Sequence, residues 1–295
     1  MGVLFGLLTA FSWGSSDFLA RFATRRTGTL RTTLYMQLLG FALLSAALPF
    51  LGGWGHLADG SGLRPWVWGL FAGALNTVAT LSIYRSFELG KMAVVAPLSA
   101  SYPVITVLLS LLTGERLNTA RAFGIVLVLA GAILVAREDA SSLDKSAPVS
   151  AHNAAREITG LRWALASAVA MGVMFWLVGI RFVPIVGALP SVWIIRLVSA
   201  VATLAVMLVS RQSAAPPVRG ARSFVAGMAV LDTTAYCFNN RGMQLEQVSV
   251  VSVLASLYGA VTVAYAAAIL HERISRLQWL GILAIFSGIL LISRQ

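Results

Sequence analysis

Asp232 is a carboxylate in the middle of an apolar stretch, and Tyr236 and Asn239 follow it at i+4 and i+7. On a helix the three share one face. A carboxylate at the bilayer centre costs about 2.5–3.5 kcal/mol on insertion scales, so it must face protein or water. Asp232 therefore has two readings: it binds a cationic group or a coupling ion, or it is structural, paired with Arg196 or hydrogen-bonded to a neighbouring helix. Arg196, a turn from Trp193, is itself inside an apolar stretch. It can snorkel to the nearer surface, pair with Asp232, or hold a substrate carboxylate in its planar fork.

Other polar groups are spaced for one helix face. Asn76 shares a face with Thr80 and Tyr84. It suits either cavity lining or an interhelical hydrogen bond. Asp17 shares a face with Trp13, with Arg21 one turn on. That spacing fits an i,i+4 ion pair or a cavity acid beside an aromatic wall. Tyr102 with Thr106, and Tyr258 with Thr262 and Tyr265, make stripes suited to lining or gating a cavity, or to the membrane interface. Glu115 and Glu272 each stand beside an arginine and just before Asn118 or Ser275, which suits local pairing and helix capping. Arg85 and Arg241 read as snorkelled anchors.

The elements that carry these groups are apolar. Of 295 residues, 58% are hydrophobic and 11% charged, and the mean hydropathy is +0.83. A typical soluble domain is about 25% charged. The pattern predicts ten spans, at 2–20, 33–51, 66–87, 92–112, 119–136, 161–180, 190–209, 223–240, 248–270 and 276–292. Each can cross about 30 Å of hydrocarbon as a helix. The stretch 2–20 lacks a basic leader and is followed by Arg21, Arg25, Arg26 and Arg31, so it reads as an anchored helix. The net charge of +11 collects at span ends, which points to lipid headgroups and orientation rather than nucleic acid. Cys237 is the one cysteine, and His56, His152 and His271 fall in connections. No metal or cofactor is expected.

The spans repeat. Leu75-Asn76-Thr77 recurs as Leu231-Asp232-Thr233, and Tyr102 and Thr106 recur as Tyr258 and Thr262, all 156 residues on. Glu115-Arg116, Gly124 and Gly131 recur 157 residues on as Glu272-Arg273, Gly281 and Gly288. A unit with an odd number of spans must set its second copy upside down, and inverted pairs enclose sites near mid-membrane. The expected fold is an all-α integral membrane protein with ten transmembrane helices as two inverted five-helix repeats. The halves are 1–137 and 160–295, and 138–159 reads as a flexible linker.

The same residues carry a family resemblance. Trp13-Gly14, Pro97, Tyr102-Pro103, Gly114-Glu115-Arg116-Leu117 and His271-Glu272-Arg273-Ile274, each junction before a glycine-spaced closing helix, resemble the drug/metabolite transporter superfamily. The match is to its ten-helix members with two EamA-like halves. The resemblance implies export or exchange of small metabolites, amino acids or drugs through a central cavity, without ATP. The family proline present as Pro103 is replaced at the matching position by Gly259.

Function follows as an expectation. The chain reads as a secondary active transporter that exports or exchanges an amino acid-like, cationic or zwitterionic solute across the bacterial cytoplasmic membrane. A proton or sodium ion at Asp232 drives it, and a monomer suffices. The substrate-binding candidates are Trp13, Asp17, Asn76, Tyr84, Tyr102, Trp193, Arg196, Asp232, Tyr236, Asn239 and Tyr258. A non-transporting receptor or scaffold and a membrane-embedded enzyme are the alternatives. Against the enzyme, no Walker loop, HExxH or GxSxG is present. Odd-numbered connections hold 15 of the 22 Lys and Arg residues and the opposite side 6, with Arg196 inside a span. That bias puts both termini outside the cytoplasm. A C-terminal reporter that fluoresces only in cytoplasm should stay dark; a bright reporter reverses the orientation.

Overall fold

Lipid satisfies no backbone N–H or C=O, so a spanning chain must close its hydrogen bonds within each helix or around a barrel. This chain does so with helices. The computed structural model describes residues 1–51, 62–89, 92–141, 151–270 and 276–293. The helices are α1 (Gly2–Thr27), α2 (Thr29–Leu51), α3 (Arg64–Leu89), α4 (Met92–Ser99), α5 (Pro103–Leu112), α6 (Thr119–Ser141), α7 (Ala151–Leu177), α8 (Val183–Val186), α9 (Ala188–Val209), α10 (Arg219–Leu245), α11 (Val248–Ala255), α12 (Tyr258–Leu270) and α13 (Arg276–Ser293). A π-helical turn, Val178–Phe182, joins α7 to α8. With α4 and α5, α7 and α8, and α11 and α12 each counted as one crossing, these are ten spans of an all-α membrane protein. Among the described residues, five helical stretches are long and apolar enough to cross alone, in α1, α2, α3, α7–α8 and α9. The 27 residues of α10 are not among them. Asp232, Asn239, Asn240 and Arg241 dilute its apolar character, and the first three are buried.

Three sequence expectations are corrected. The fourth and ninth spans are not continuous helices. Each breaks mid-membrane into tight i→i−3 bonds, at Ser101 N to Leu98 O and Tyr102 N to Ser99 O, and at Leu257 N to Leu254 O. Pro103 offers no N–H to continue the first. The second breaks without a proline, and there the Ser256 hydroxyl donates to the Val253 carbonyl at 2.7 Å in competition with the helix. The loops expected at 21–32 and 181–189 shrink to single glycines. Gly28 and Gly187 sit at φ +87° and +86°, the left-handed region a side chain disfavours. The expected linker 138–159 is helical at both ends, since α6 runs to Ser141 and α7 starts at Ala151. Residues 142–150, His56, and the junction from His271 to Ser275 lie outside the described residues.

The packing is that of two copies related by a two-fold axis. Helix α1 packs on α10 as α3 packs on α7, while α2 meets α9, α5 meets α11 and α6 meets α13. Exchanging the halves turns the first pair into the second, returns α2–α9 and α6–α13 to themselves, and turns α5–α11 into α12–α4, which also meet. The direction is fixed by glycines. A β-carbon on Gly124 would lie 2.8 Å from the Gly288 carbonyl oxygen, and one on Gly131 would lie 2.6 Å from that of Gly281. Gly124 repeats as Gly281 and Gly131 as Gly288, so equivalent helices run antiparallel and the repeat is inverted. At the mouth where α6 begins and α10 ends, the halves are clasped. Arg121 Nη1 donates to Glu246 Oε1 at 2.9 Å and to Gln247 Oε1 at 2.8 Å. Gln247 Nε2 donates to the Arg116 carbonyl at 2.7 Å, and Glu115 accepts from the Ser249 hydroxyl. Glu115 therefore does cap a helix start, but that of α11 in the other half, while Asn118 caps α6 through the Arg121 N–H at 2.8 Å.

The backbone contact of α6 with α13 leaves no room for a side chain. Gly131→Val should destabilise the protein in detergent by about 1–3 kcal/mol, read as a lower midpoint of thermal or denaturant unfolding. An unchanged midpoint would contradict the packing.

Candidate functional site

The charged centre is built where α2, α9 and α10 meet. Arg196 of α9 is fully buried. Its Nη2 donates to Asp232 Oδ2 at 2.5 Å and its Nη1 to Gln37 Oε1 of α2 at 2.7 Å. The ring of Tyr236 lies 4.8 Å from its guanidinium carbon. Gly40 makes the approach of α2 possible, since a β-carbon there would stand 3.2 Å from the arginine side chain. The network continues into the first half. The Tyr236 hydroxyl donates to Asn76 Oδ1, Asn76 Nδ2 donates to Ser199 Oγ at 2.8 Å, and Ser199 donates to the Gly73 carbonyl at 3.1 Å. Arg196 thus pairs with Asp232 and does not snorkel.

Beside this network lies a small cavity lined by Trp13 and Asp17 of α1, Ala79, Thr80, Ile83 and Tyr84 of α3, Met171 of α7, Asp232 and Tyr236 of α10, and Tyr258 of α12. Three of its walls are aromatic neighbours: Trp13 meets Tyr236 edge-on at 5.1 Å and Tyr258 at 6.2 Å. Asp17 is 7% exposed. Among the described residues no hydrogen bond or ion pair reaches it, so the i,i+4 pair with Arg21 does not form. The Tyr258 hydroxyl is also buried and unpartnered. The centre therefore holds two carboxylates and one guanidinium, and the guanidinium is spent on Asp232.

Of the residues expected at a binding site, the structure brings Trp13, Asp17, Tyr84, Asp232, Tyr236 and Tyr258 to the cavity wall. Asn76 and Arg196 stand one layer behind it. Tyr102 is buried, stacks on Tyr258 at 6.4 Å and donates to the Ser252 carbonyl at 3.0 Å. Asn239 is buried beside Asn240, which donates to Ser191 at 2.9 Å. Trp193 points elsewhere, donating to Ser45 at 2.8 Å and packing on Phe41. Sequence reasoning missed Gln37, Ser199, Ala79, Ile83 and Met171. Gln37 did carry a signal, as an amide alone in an apolar span.

The repeat shapes the cavity. A β-carbon on Gly14 would stand 2.9 Å from the Tyr258 carbonyl oxygen, and one on Gly172 would stand 2.8 Å from that of Tyr102. Thr262 donates to the Gly14 carbonyl at 3.3 Å and Thr106 to that of Gly172 at 3.0 Å. These paired contacts match α1 to α7 with a shift of 158, so Trp13 corresponds to Met171 and Asp17 to Phe175.

The EamA-like transporter family matches the chain twice, at residues 1–137 and 158–294. The chain belongs to the EamA-like transporter family. It is a membrane transporter of the drug/metabolite type. One solved crystal structure superposes with a TM-score of 0.74 at 19% identity, over 99% of this chain and 96% of the other. At that identity the likeness shows the fold. No curated protein matched. In this transporter the buried pair should be coupled: Arg196→Gln and Asp232→Asn should each cost about 3–5 kcal/mol by leaving a buried group unanswered. The double variant should cost clearly less than their sum, as unfolding midpoints in detergent will read.

Proposed function

We propose that this transporter is a secondary active carrier of a small cationic or zwitterionic solute, exporting or exchanging it across the bacterial cytoplasmic membrane as a monomer. The observation that carries this reading is the cavity at the seam of the inverted halves, holding a carboxylate without a counter-charge. Asp17 supplies the binding charge. Asp232 shares the wall, but Arg196 answers it, so we move the ion-binding role from Asp232 to Asp17. A proton or sodium ion would occupy the same carboxylate when the solute is absent.

The cavity is displaced to one side of the two-fold axis. Asp17, Ile83, Tyr84 and Tyr258 line it, while their repeat partners Phe175, Asn239, Asn240 and Tyr102 are packed away. The displacement is toward the ends of α1 and α3 that carry Arg25, Arg26 and Arg85. That basic side is the cytoplasmic side by charge bias, and loading from it suits export. The opposite mouth is the clasped one. Alternating access exchanges the two sets of linings by rocking the halves about the axis.

Purified protein in sealed liposomes should show counterflow of a labelled organic cation. Asp17→Asn should cut that flux about 10–100-fold, the loss expected when a charge-assisted contact is removed. Full flux in Asp17→Asn removes Asp17 from the mechanism.

A further inference from the structure

The geometry assigns the cavity to a solute that carries one positive charge and no carboxylate, an amine or quaternary ammonium rather than an amino acid. This inference rests on the transport reading above and narrows its substrate class.

The charge balance comes first. Asp17 and Asp232 both line the cavity, and Arg196 is bonded to Asp232 at 2.5 Å. One positive charge from the solute completes the balance. Asp17 is placed to receive it, because no other hydrogen bond or ion pair reaches that carboxylate among the described residues. Around it stand Trp13, Tyr84, Tyr236 and Tyr258, whose rings favour a cation across their faces.

A zwitterion would also need a partner for its carboxylate, and the arginine cannot serve. The Arg196 side chain is 1% exposed and takes no part in the cavity wall. Its two terminal nitrogens are held by Asp232 and Gln37. The ring of Tyr236, itself a cavity wall, lies against its guanidinium. A solute carboxylate could reach Arg196 only by displacing that ring and stripping the arginine from Asp232, which leaves a second carboxylate unanswered. The other donors within reach are neutral hydroxyls, Tyr258 and Thr80 among them, and a desolvated carboxylate beside Asp17 and Asp232 is repelled.

The test uses matched probes on the full-length protein. Tetramethylammonium and protonated isobutylamine each carry one positive charge, valine adds a carboxylate, and the last two share a side chain. Calorimetric titration in detergent and counterflow in liposomes should both show the two cations binding and exchanging. Valine should be weaker by about tenfold or more, the discrimination expected when an ionised group finds no partner. Asp17→Asn should lose cation binding and Asp17→Glu should keep it. Asp17→Asn should also melt no lower than the wild type, because Asp17 gives up no bond; a lower midpoint would mark it as a structural residue and overturn the assignment. Valine bound and exchanged as well as isobutylamine would overturn the cation restriction while leaving the transporter intact. Counterflow of none of the three would remove the transport reading, and this inference with it.

Discussion

Arg196 and Asp232 are buried charges inside membrane-spanning helices, and each exists there because the other does. An isolated charge at the bilayer centre costs several kcal/mol, and their attraction offsets this only with good geometry and further hydrogen bonds. Three helices supply them. Gln37 brings α2 to the guanidinium, Tyr236 places its ring against it, and Asn76 takes the Tyr236 hydroxyl and passes the network through Ser199 to the backbone of α3. The pair thereby fixes the mutual positions of α2, α3, α9 and α10. It also determines which carboxylate is free. With the Arg196 guanidinium committed to Asp232, Asp17 faces the cavity without an ion pair among the described residues.

Backbone symmetry and side-chain asymmetry divide the work. The frame is duplicated in detail: Gly14 and Gly172 admit equivalent carbonyls, and Thr262 and Thr106 donate to those glycines' own carbonyls. Gly28 and Gly187 make the same reversal with nearly the same φ. Chemistry enters where the copies differ. Asp17 is matched by Phe175, Asp232 by Asn76, and Arg196 faces Gln37 across the α2–α9 crossing. A symmetric set of side chains would give two equal half-sites. Here one half supplies Asp17 and the other supplies Asp232 with its own partner, so among the described residues the cavity wall holds one carboxylate without a hydrogen bond or ion pair.

How much of this could be read from the sequence depends on where the repeat shift holds. It is 156 from Asn76 to Thr106, and there the matched polar positions can be read directly. It becomes 158 at Gly14 and 159 at Gly28, because connections differ in length by one or two residues. A constant shift therefore misses the match of Trp13 with Met171. Periodicity finds that Asp17 and Trp13 share a face, but it carries no information on whether Arg21 turns back toward Asp17. It also finds two charges in two apolar spans without stating that their faces meet. The breaks in spans four and nine are legible at Pro103 and not at Gly259, where a serine hydroxyl and helix crossing do what the proline does in the first half.

The clasp at the mouth opposite the cavity carries the same logic to conformational energy. Arg121 and Glu246 are each 15% exposed and join the two halves, so their bond is screened less than a surface pair and must break for that mouth to open. The repeat assigns to these positions Gln278 and Gly90 in the other copy. Neither is charged, so the other mouth cannot be held by the same ion pair. The fold alone would make the two end states equivalent, and substitutions at two matched positions remove that equivalence. The state with the Arg121–Glu246 mouth closed gains the ion pair, and the state with it open gains nothing in exchange at the matching positions. In the transport cycle proposed above, this ion pair favours the arrangement with the cavity displaced to the basic side.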